Sequence, residues 1–235
     1  AHLPSFMAHW KSLDLRFDAV YSCFLGSPAQ VEMVQNFIRN FRQTEQLVVI
    51  DPVMGDDGKP YGPVGPELIS GMRDLIAHAD VITPNFTEAA FLLNDDSNAS
   101  IDLNPPSLDG VKDRLRCLGD RGPRQVIITS VPVADAPRRS AVVAYNRDDN
   151  RCWKVECSYI PTYYPGTGDA FTSVIVGSIL QGDSLPIALD RAVQFVSMAI
   201  RASFGHQIPN REGVLLEQVL GNLRAPVSSS SFEVL

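Results

Sequence analysis

Apolar residues recur along the chain with two different periods, and the switching between them predicts a layered α/β fold. A first strand is expected over residues 17–24, closed by the small-residue turn Gly26-Ser27-Pro28. Val31, Val34, Phe37, Ile38 and Phe41 then fall at helical spacing and predict a helix over 29–42. Leu47–Ile50 is an unbroken apolar run ending at Asp51, the pattern of a strand covered on both faces of a parallel sheet. Beyond a Gly/Pro-rich loop (55–66), a helix is expected over 67–77 and a short strand over 81–83. Helices over 87–93 and 108–118 and a strand over 125–129 follow. Strands alternating with helices make βαβ units with right-handed crossovers.

After that the pattern changes. Residues 141–145 and 152–159 read as two antiparallel strands around the polar turn 146–150. Three helical stretches are expected next, over 170–180, 186–202 and 213–223, and then a flexible tail over 228–235 that includes the serine run Ser228–Ser231. No internal repeat or interdomain linker interrupts the chain, so one domain spanning 1–235 is expected. Residues 1–15 offer no opening strand, which predicts a sheet that begins in mid-topology with its N-terminal strand or strands missing.

Composition narrows the function. With 235 residues, 45% hydrophobic and 20% charged, the chain reads as globular. A formal net charge of −7 argues against a broad nucleic-acid surface, though not against a nucleotide, whose phosphates can be held locally by backbone N–H groups. No apolar run is long enough for a bilayer and no signal-like leader opens the chain, so a cytoplasmic location is expected. Four cysteines and four histidines lack the spacing of a zinc site.

Several short motifs carry chemistry. Gly166-Thr167-Gly168-Asp169 runs directly into a helical stretch, where two glycines let consecutive N–H groups face an anion at a helix start. The plain alternative makes Asp169 an N-cap and the glycines loop residues. Asp51-Pro52-Val53-Met54-Gly55-Asp56 follows a buried strand, where Asp51 and Asp56 suit Mg²⁺ bound together with phosphate, or else simply make a turn. Thr83-Pro84-Asn85-Phe86-Thr87-Glu88 places Asn85 and Glu88 beyond another strand, to orient phosphate or metal-bound water; alternatively, Thr87 or Asn85 caps the following helix and Glu88 fits its first turn. Thr129 and Ser130 add hydroxyls on the same edge. A parallel sheet gathers these positions at the carboxyl ends of its strands. Asp51 and Glu88 are expected to be at least partly solvated there. No GxxxxGK[ST] and no GxGxxG after a strand occurs, which excludes P-loop and dinucleotide-binding readings.

DPVMGD, TPNFTE, the Ile128-Thr129-Ser130 strand end and PGTGD, in this order, resemble the pyridoxal kinases of the ribokinase-like superfamily, over nearly the whole chain. The early segment Tyr21–Ser27 resembles the same family, with Cys23-Phe24 where many members carry Gly-Tyr. The resemblance implies a three-layer α/β/α sandwich with a mostly parallel central sheet. It also implies ATP-dependent phosphorylation of the hydroxymethyl group of pyridoxal, pyridoxamine or pyridoxine. By position, Asp169 resembles the catalytic base, and Gly166, Thr167 and Gly168 the anion hole. Asp56 and Asn85 fall near the phosphates, Asp51 and Glu88 near the metal, and Thr129, Ser130 and the flap residue Tyr61 on the nucleotide side. Phe24 matches the substrate side, and bulky residues between 185 and 204 match the adenine wall. Mg²⁺ with ATP, a monovalent cation such as K⁺ and a homodimer are further implications. A hydroxymethylpyrimidine or sugar kinase of the same superfamily, or a catalytically silent vitamer- or nucleotide-binding homologue, remain the alternatives. Asp169, where hydroxymethylpyrimidine kinases commonly carry Cys, favours the pyridoxal branch.

Overall fold

The computed structural model of the chain describes residues 2–94, 101–160, 162–204, 206, 209–224 and 231–235. Its centre is a seven-stranded sheet in the order β1-β2-β5-β6-β7-β8-β9. Strands β1 (Ala19–Ser22), β2 (Leu47–Ile50), β5 (Val81–Ile82) and β6 (Gln125–Pro132) pair in parallel. Strands β7 (Arg139–Asn146), β8 (Arg151–Ser158) and β9 (Phe232–Val234) continue the sheet by antiparallel pairing. A two-stranded hairpin, β3 (Gly55–Asp56) with β4 (Lys59–Pro60), stands apart from it.

Strand alternation divides the core in two. Val48, Ile50, Ile82, Val126 and Ile128 face a layer built from α2 (Pro28–Phe41), α3 (Pro66–Ile76), α4 (Phe86–Leu93) and α5 (Leu108–Gly119). Val49, Val81 and Ile127 face α6 (Thr167–Leu180) and α7 (Leu185–Ser203). The sandwich is therefore three-layered, as expected. Both faces of β2 are covered because Val48, Val49 and Ile50 each have a helical layer to pack against.

Three local expectations are corrected, and one segment left unassigned gains an element. Residues 3–12, where no strand was expected, form a helix, α1 (Leu3–Ser12), started by a proline in its first turn. None of its residues is buried. It leans on α2 through a chain of rings in which Trp10 meets Phe37 at 6.0 Å and Phe17 at 5.7 Å. The helix expected over 213–223 is instead two 3₁₀ turns, Leu216–Gln218 and Leu220–Arg224, preceded by a third at Asn210–Glu212. Gly213 lies at φ 81°, and the Leu215 N–H is taken by the Ser203 hydroxyl at 2.8 Å, so α-helical bonding does not propagate. Helix α6 begins three residues earlier than expected, at Thr167. Finally, the C-terminal segment is not a loose tail over 231–235. The buried Asp190 accepts from the Ser231 N–H at 3.1 Å and its hydroxyl at 2.5 Å, and Phe232–Val234 pair with β8. Ser228, Ser229 and Ser230 lie outside the described residues.

No described helix is long and apolar enough to cross a membrane.

Candidate active site

The sheet supplies one wall of the site. Asp51 follows β2 directly, and its N–H bonds to the Ser22 carbonyl at 2.8 Å, which extends the β1–β2 ladder by one step. The side chain is only 4% exposed. Its Oδ1 accepts from the Thr83 hydroxyl at 3.1 Å, and Thr83 in turn contacts the Thr172 hydroxyl of α6 at 2.9 Å. Burial pushes the Asp51 carboxyl up to about 7; the Thr83 hydrogen bond opposes this and the nearby Asp169 charge adds to it.

Glu88 is buried as deeply, at 3% exposure. It sits in the first turn of α4 and closes a capping box with Asn85. One carboxylate oxygen accepts from the Asn85 N–H at 2.8 Å, and the other from the Met54 and Gly55 N–H groups at 3.0 and 3.5 Å. Asn85 accepts from the Glu88 N–H at 2.9 Å and donates its amide to the Gly55 carbonyl at 2.8 Å. Burial raises the Glu88 carboxyl to about 8, the Asp51 charge adds to the rise, and the backbone donors oppose it. The expectation that Asp51 and Glu88 are partly solvated is thus corrected. Both are interior groups, because the loop after β2 folds back over the start of α4 and closes them in.

That loop is shaped by Gly55, where a Cβ would collide with the Lys59 carbonyl and Pro60. Gly58 donates to the Thr87 hydroxyl at 3.0 Å, and the Tyr61 N–H bonds to the Met54 carbonyl at 2.9 Å. Asp56 is half-buried, which raises its carboxyl above the usual range. The Tyr61 phenol is raised by burial first and then by the Asp56 charge, and it neighbours Tyr163.

The opposite wall is the start of α6. Gly166 holds φ 84° and occupies the N-cap, so Asp169 is the third helical residue and not the cap. The first bond of the helix runs from the Ala170 N–H to the Gly166 carbonyl at 3.0 Å. The N–H groups of Thr167, Gly168 and Asp169 therefore have no acceptor within the helix, which leaves them for an anion. Asp169 is exposed. Gly168 lies against Asp51: a Cβ on it would stand 3.9 Å from Asp51 Oδ2. On the sheet side, Thr129 bridges to Asn85, and Ser130 at φ 57° sits in a bulge that lifts it out of the β6–β7 ladder.

One cavity of about 390 Å³ collects every residue singled out from the motifs: Phe24, Asp51, Asp56, Tyr61, Asn85, Glu88, Thr129, Ser130, Gly166, Thr167, Gly168 and Asp169. Phe24 stands at 47% exposure. Val193, Val196 and Ile200 of α7 give names to the bulky residues expected between 185 and 204. Thr83, Thr172 and Tyr163 line the cavity and were missed. Thr83 was legible, since it lies two residues beyond Val81 and so shares its face. Thr172, four residues after Gly168, was legible only with the helix start in the right place. Among the described residues no lysine or arginine lines this cavity, whereas Asp51, Asp56, Glu88 and Asp169 do.

This arrangement has counterparts among known proteins. A family model described as phosphomethylpyrimidine kinase matches residues 8–212. A pyridoxal kinase of Deinococcus radiodurans is 32% identical over 178 residues, covering 73% of this chain and 57% of that protein. A pyridoxal kinase of Arabidopsis thaliana is 26% identical over 194 residues, covering 80% of this chain and 58% of the relative. The chain thus spans 57–58% of the length of these curated relatives. A crystal structure of a putative phosphomethylpyrimidine kinase from Bacteroides thetaiotaomicron, in a form with pyridoxal, superposes with a TM-score of 0.93. It is 52% identical and matches 100% of this chain and 80% of its own. With its matched span, its three-layer fold and its motifs gathered on one rim, the chain belongs to the phosphomethylpyrimidine kinase family.

Proposed function

We propose that the protein transfers the terminal phosphoryl group of ATP to the hydroxymethyl group of a pyridine alcohol of the pyridoxal, pyridoxamine and pyridoxine class. The observation that carries this reading is the single cavity in which the N–H groups at the start of α6 and the carboxylates of Asp51 and Asp169 come together. The B. thetaiotaomicron relative, crystallised with pyridoxal, supports the choice of acceptor.

Each residue then has a task. Asp169, exposed at the cavity, takes the proton of the attacking hydroxyl as transfer proceeds. The N–H groups of Thr167, Gly168 and Asp169, aligned with the positive end of α6, face the charge that builds on the transferred phosphoryl group. Phe24 offers a ring face to the aromatic acceptor. Tyr61, Thr129 and Ser130 belong to the nucleotide side, where Val193, Val196 and Ile200 give an apolar wall for a purine. Because phosphoryl transfer is mainly a matter of positioning and charge, no covalent protein intermediate is needed.

A polyphosphate entering a cavity lined by four carboxylates and no described cationic side chain must bring a cation with it. The residues fit Mg²⁺: Asp51 would hold it with Asp56 nearby, and although no described cluster reaches three metal-binding side chains, Mg²⁺ normally takes one or two carboxylates plus phosphate oxygens. Bound there, Mg²⁺ supplies charge neutralisation of the phosphates. Glu88, with both oxygens engaged by backbone N–H groups, contributes by fixing the loop that presents Asp51 and Asp56. A cytoplasmic location and a homodimer complete the reading, the latter tested by light scattering.

The family's description names a phosphomethylpyrimidine, which makes a related pyrimidine such as hydroxymethylpyrimidine the second candidate acceptor. One experiment addresses both. ADP binding is titrated with and without Mg²⁺, and initial rates are compared for pyridoxal, pyridoxamine, pyridoxine, hydroxymethylpyrimidine and ribose. Mg²⁺-dependent ADP binding with transfer to the pyridine alcohols is expected. A preference for the pyrimidine reverses the acceptor assignment, and the absence of Mg²⁺-dependent nucleotide binding ends the kinase reading.

A further inference from the structure

One buried polar group beside the site has no task in the steps above. The alternation of β1 turns Val20 towards the α2–α5 layer and Tyr21 towards α6 and α7. Tyr21 pairs in register with Val49, two residues before Asp51 on the neighbouring strand, so its phenol lies along the same face of the sheet as the Asp51 side chain. The hydroxyl oxygen is closed to solvent and makes no hydrogen bond of good geometry, although Asp51, Asp169 and Thr172 are the polar groups around it. Buried hydroxyls are normally paired, and one without a partner calls for an explanation.

Two further observations say what the group is for. The Tyr21 hydroxyl is closed to solvent and stands beside the Asp51 carboxylate and the Thr172 hydroxyl. Asp51 has one well-formed side-chain hydrogen bond, with the Tyr21 and Thr172 hydroxyls close by. Its Oδ1 accepts from Thr83, while Oδ2 faces the backbone of Gly168 at the start of α6. A carboxylate anchored by one oxygen can still swing about its χ2 axis, which is broad for Asp.

We propose that Tyr21 is a positioning residue for Asp51, its hydroxyl donating to the carboxylate when magnesium and nucleotide are bound and fixing the oxygen that faces the phosphates. The proposal rests on the reading of Asp51 as a metal-holding carboxylate. In the metal-free protein the hydroxyl lies beside Asp51 and Thr172 without a well-formed hydrogen bond, so its removal costs the fold little; in the loaded protein the same removal releases Asp51.

The test is a titration of ADP binding against Mg²⁺ for the parent chain, Tyr21→Phe, Asp51→Asn and the double variant, with thermal melts of the metal-free proteins. Tyr21→Phe is expected to melt no lower than the parent and to raise the Mg²⁺ concentration at half-saturation about tenfold, the scale of one hydrogen bond to a charged group. ADP affinity without Mg²⁺ stays unchanged. In the Asp51→Asn background the Tyr21 substitution adds nothing, because the two groups act as one unit. Tyr21→Leu, which lacks both ring and hydroxyl, must reproduce the Mg²⁺ shift if the hydroxyl is the active group. An unchanged Mg²⁺ requirement in Tyr21→Phe beside an impaired Asp51→Asn overturns the role of Tyr21 alone, as does an equal shift in both backgrounds. An Asp51→Asn protein with the parent's Mg²⁺ requirement overturns the metal-holding role of Asp51 and this proposal with it.

Discussion

Asp51 and Glu88, along the strand ends, are 4% and 3% exposed and are held by the Thr83 hydroxyl and by the N–H groups of Met54, Gly55 and Asn85. Across the same cavity Asp169 stands exposed in the first turn of α6, beside N–H groups that the helix itself leaves unbonded. The two walls carry the same residue type in opposite states. The sheet wall is part of the interior, and its carboxylates are bound into the fold they serve. The helix wall is a surface, and its carboxylate can be changed with little consequence for the fold. Stability and chemistry are therefore separable here: a substitution on the sheet wall should be felt in unfolding, and one on the helix wall in turnover.

The largest expected effect lies on the helix wall. Asp169→Asn keeps the size of the side chain and should leave the melting temperature close to the parent's. Loss of the general base should lower kcat by about 10²–10⁴-fold, with nucleotide affinity nearly unchanged. A variant with parental kcat withdraws the base assignment and leaves both walls structural.

Next comes Glu88→Gln. The carboxamide cannot accept from both sides as the carboxylate does, so at least one of the Met54, Gly55 and Asn85 N–H bonds is lost in a buried site. A cost of about 1–3 kcal/mol, read from denaturant unfolding, is expected. Parental stability would make Glu88 as dispensable to the fold as Asp169 and erase the contrast.

A smaller effect divides the helix wall within itself. Gly166 holds φ 84°, and Gly166→Ala should cost about 1–2 kcal/mol for a side chain in the left-handed region. Gly168 has ordinary helical geometry, and an added Cβ meets Asp51 Oδ2 at 3.9 Å, a normal contact. Gly168→Ala should therefore leave stability unchanged or raise it. Equal losses in the two variants would mean that packing against the neighbouring carboxylates, Asp169 at Gly166 and Asp51 at Gly168, and not backbone conformation, limits both positions.

The smallest effect is one of pH. Folding raises the Asp51 and Glu88 carboxyls to about 7 and about 8, so the folded chain binds protons that the unfolded chain has released. Their contribution to stability is fully present below the unfolded carboxylate range and is lost as pH rises through those values. The metal-free protein should melt lower at about pH 9 than at about pH 6, and Asp51→Asn should flatten the slope. A melting temperature that rises over this interval would show that other groups control it.

How much of this was legible in the sequence depended on whether the cause was local. The apolar run Leu47–Ile50 gave its strand without error because a strand between two helical layers has no polar face to blur the pattern. Asn85 as a cap of α4 and Glu88 in its first turn were likewise readable, whereas the choice of Asn85 over Thr87 and the closing of a capping box were decided by the structure. Helix α1 had no expectation in the sequence because its docking partner on α2, Phe37, lies well along the chain, although Phe17 is near. The helical pattern over 213–223 misled because Gly213 and the Ser203 hydroxyl draw the backbone into 3₁₀ turns. Strand β9 was invisible because three residues of edge pairing, together with Ser231 on Asp190, hold it in place.

For the site, the sequence by itself determined which residues gather, because motifs that follow parallel strands must emerge on one rim and the GTGD glycines must expose N–H groups. Only the tertiary structure decided their state. Burial and raised carboxyl pKa values at Asp51 and Glu88 depend on the loop that folds over α4, and the exposure of Asp169 depends on α6 starting at Thr167. The place of Tyr21 depends on strand register. Solvation and hydrogen bonding are set by whatever lies within a few ångströms, and for these residues those neighbours are distant in the chain.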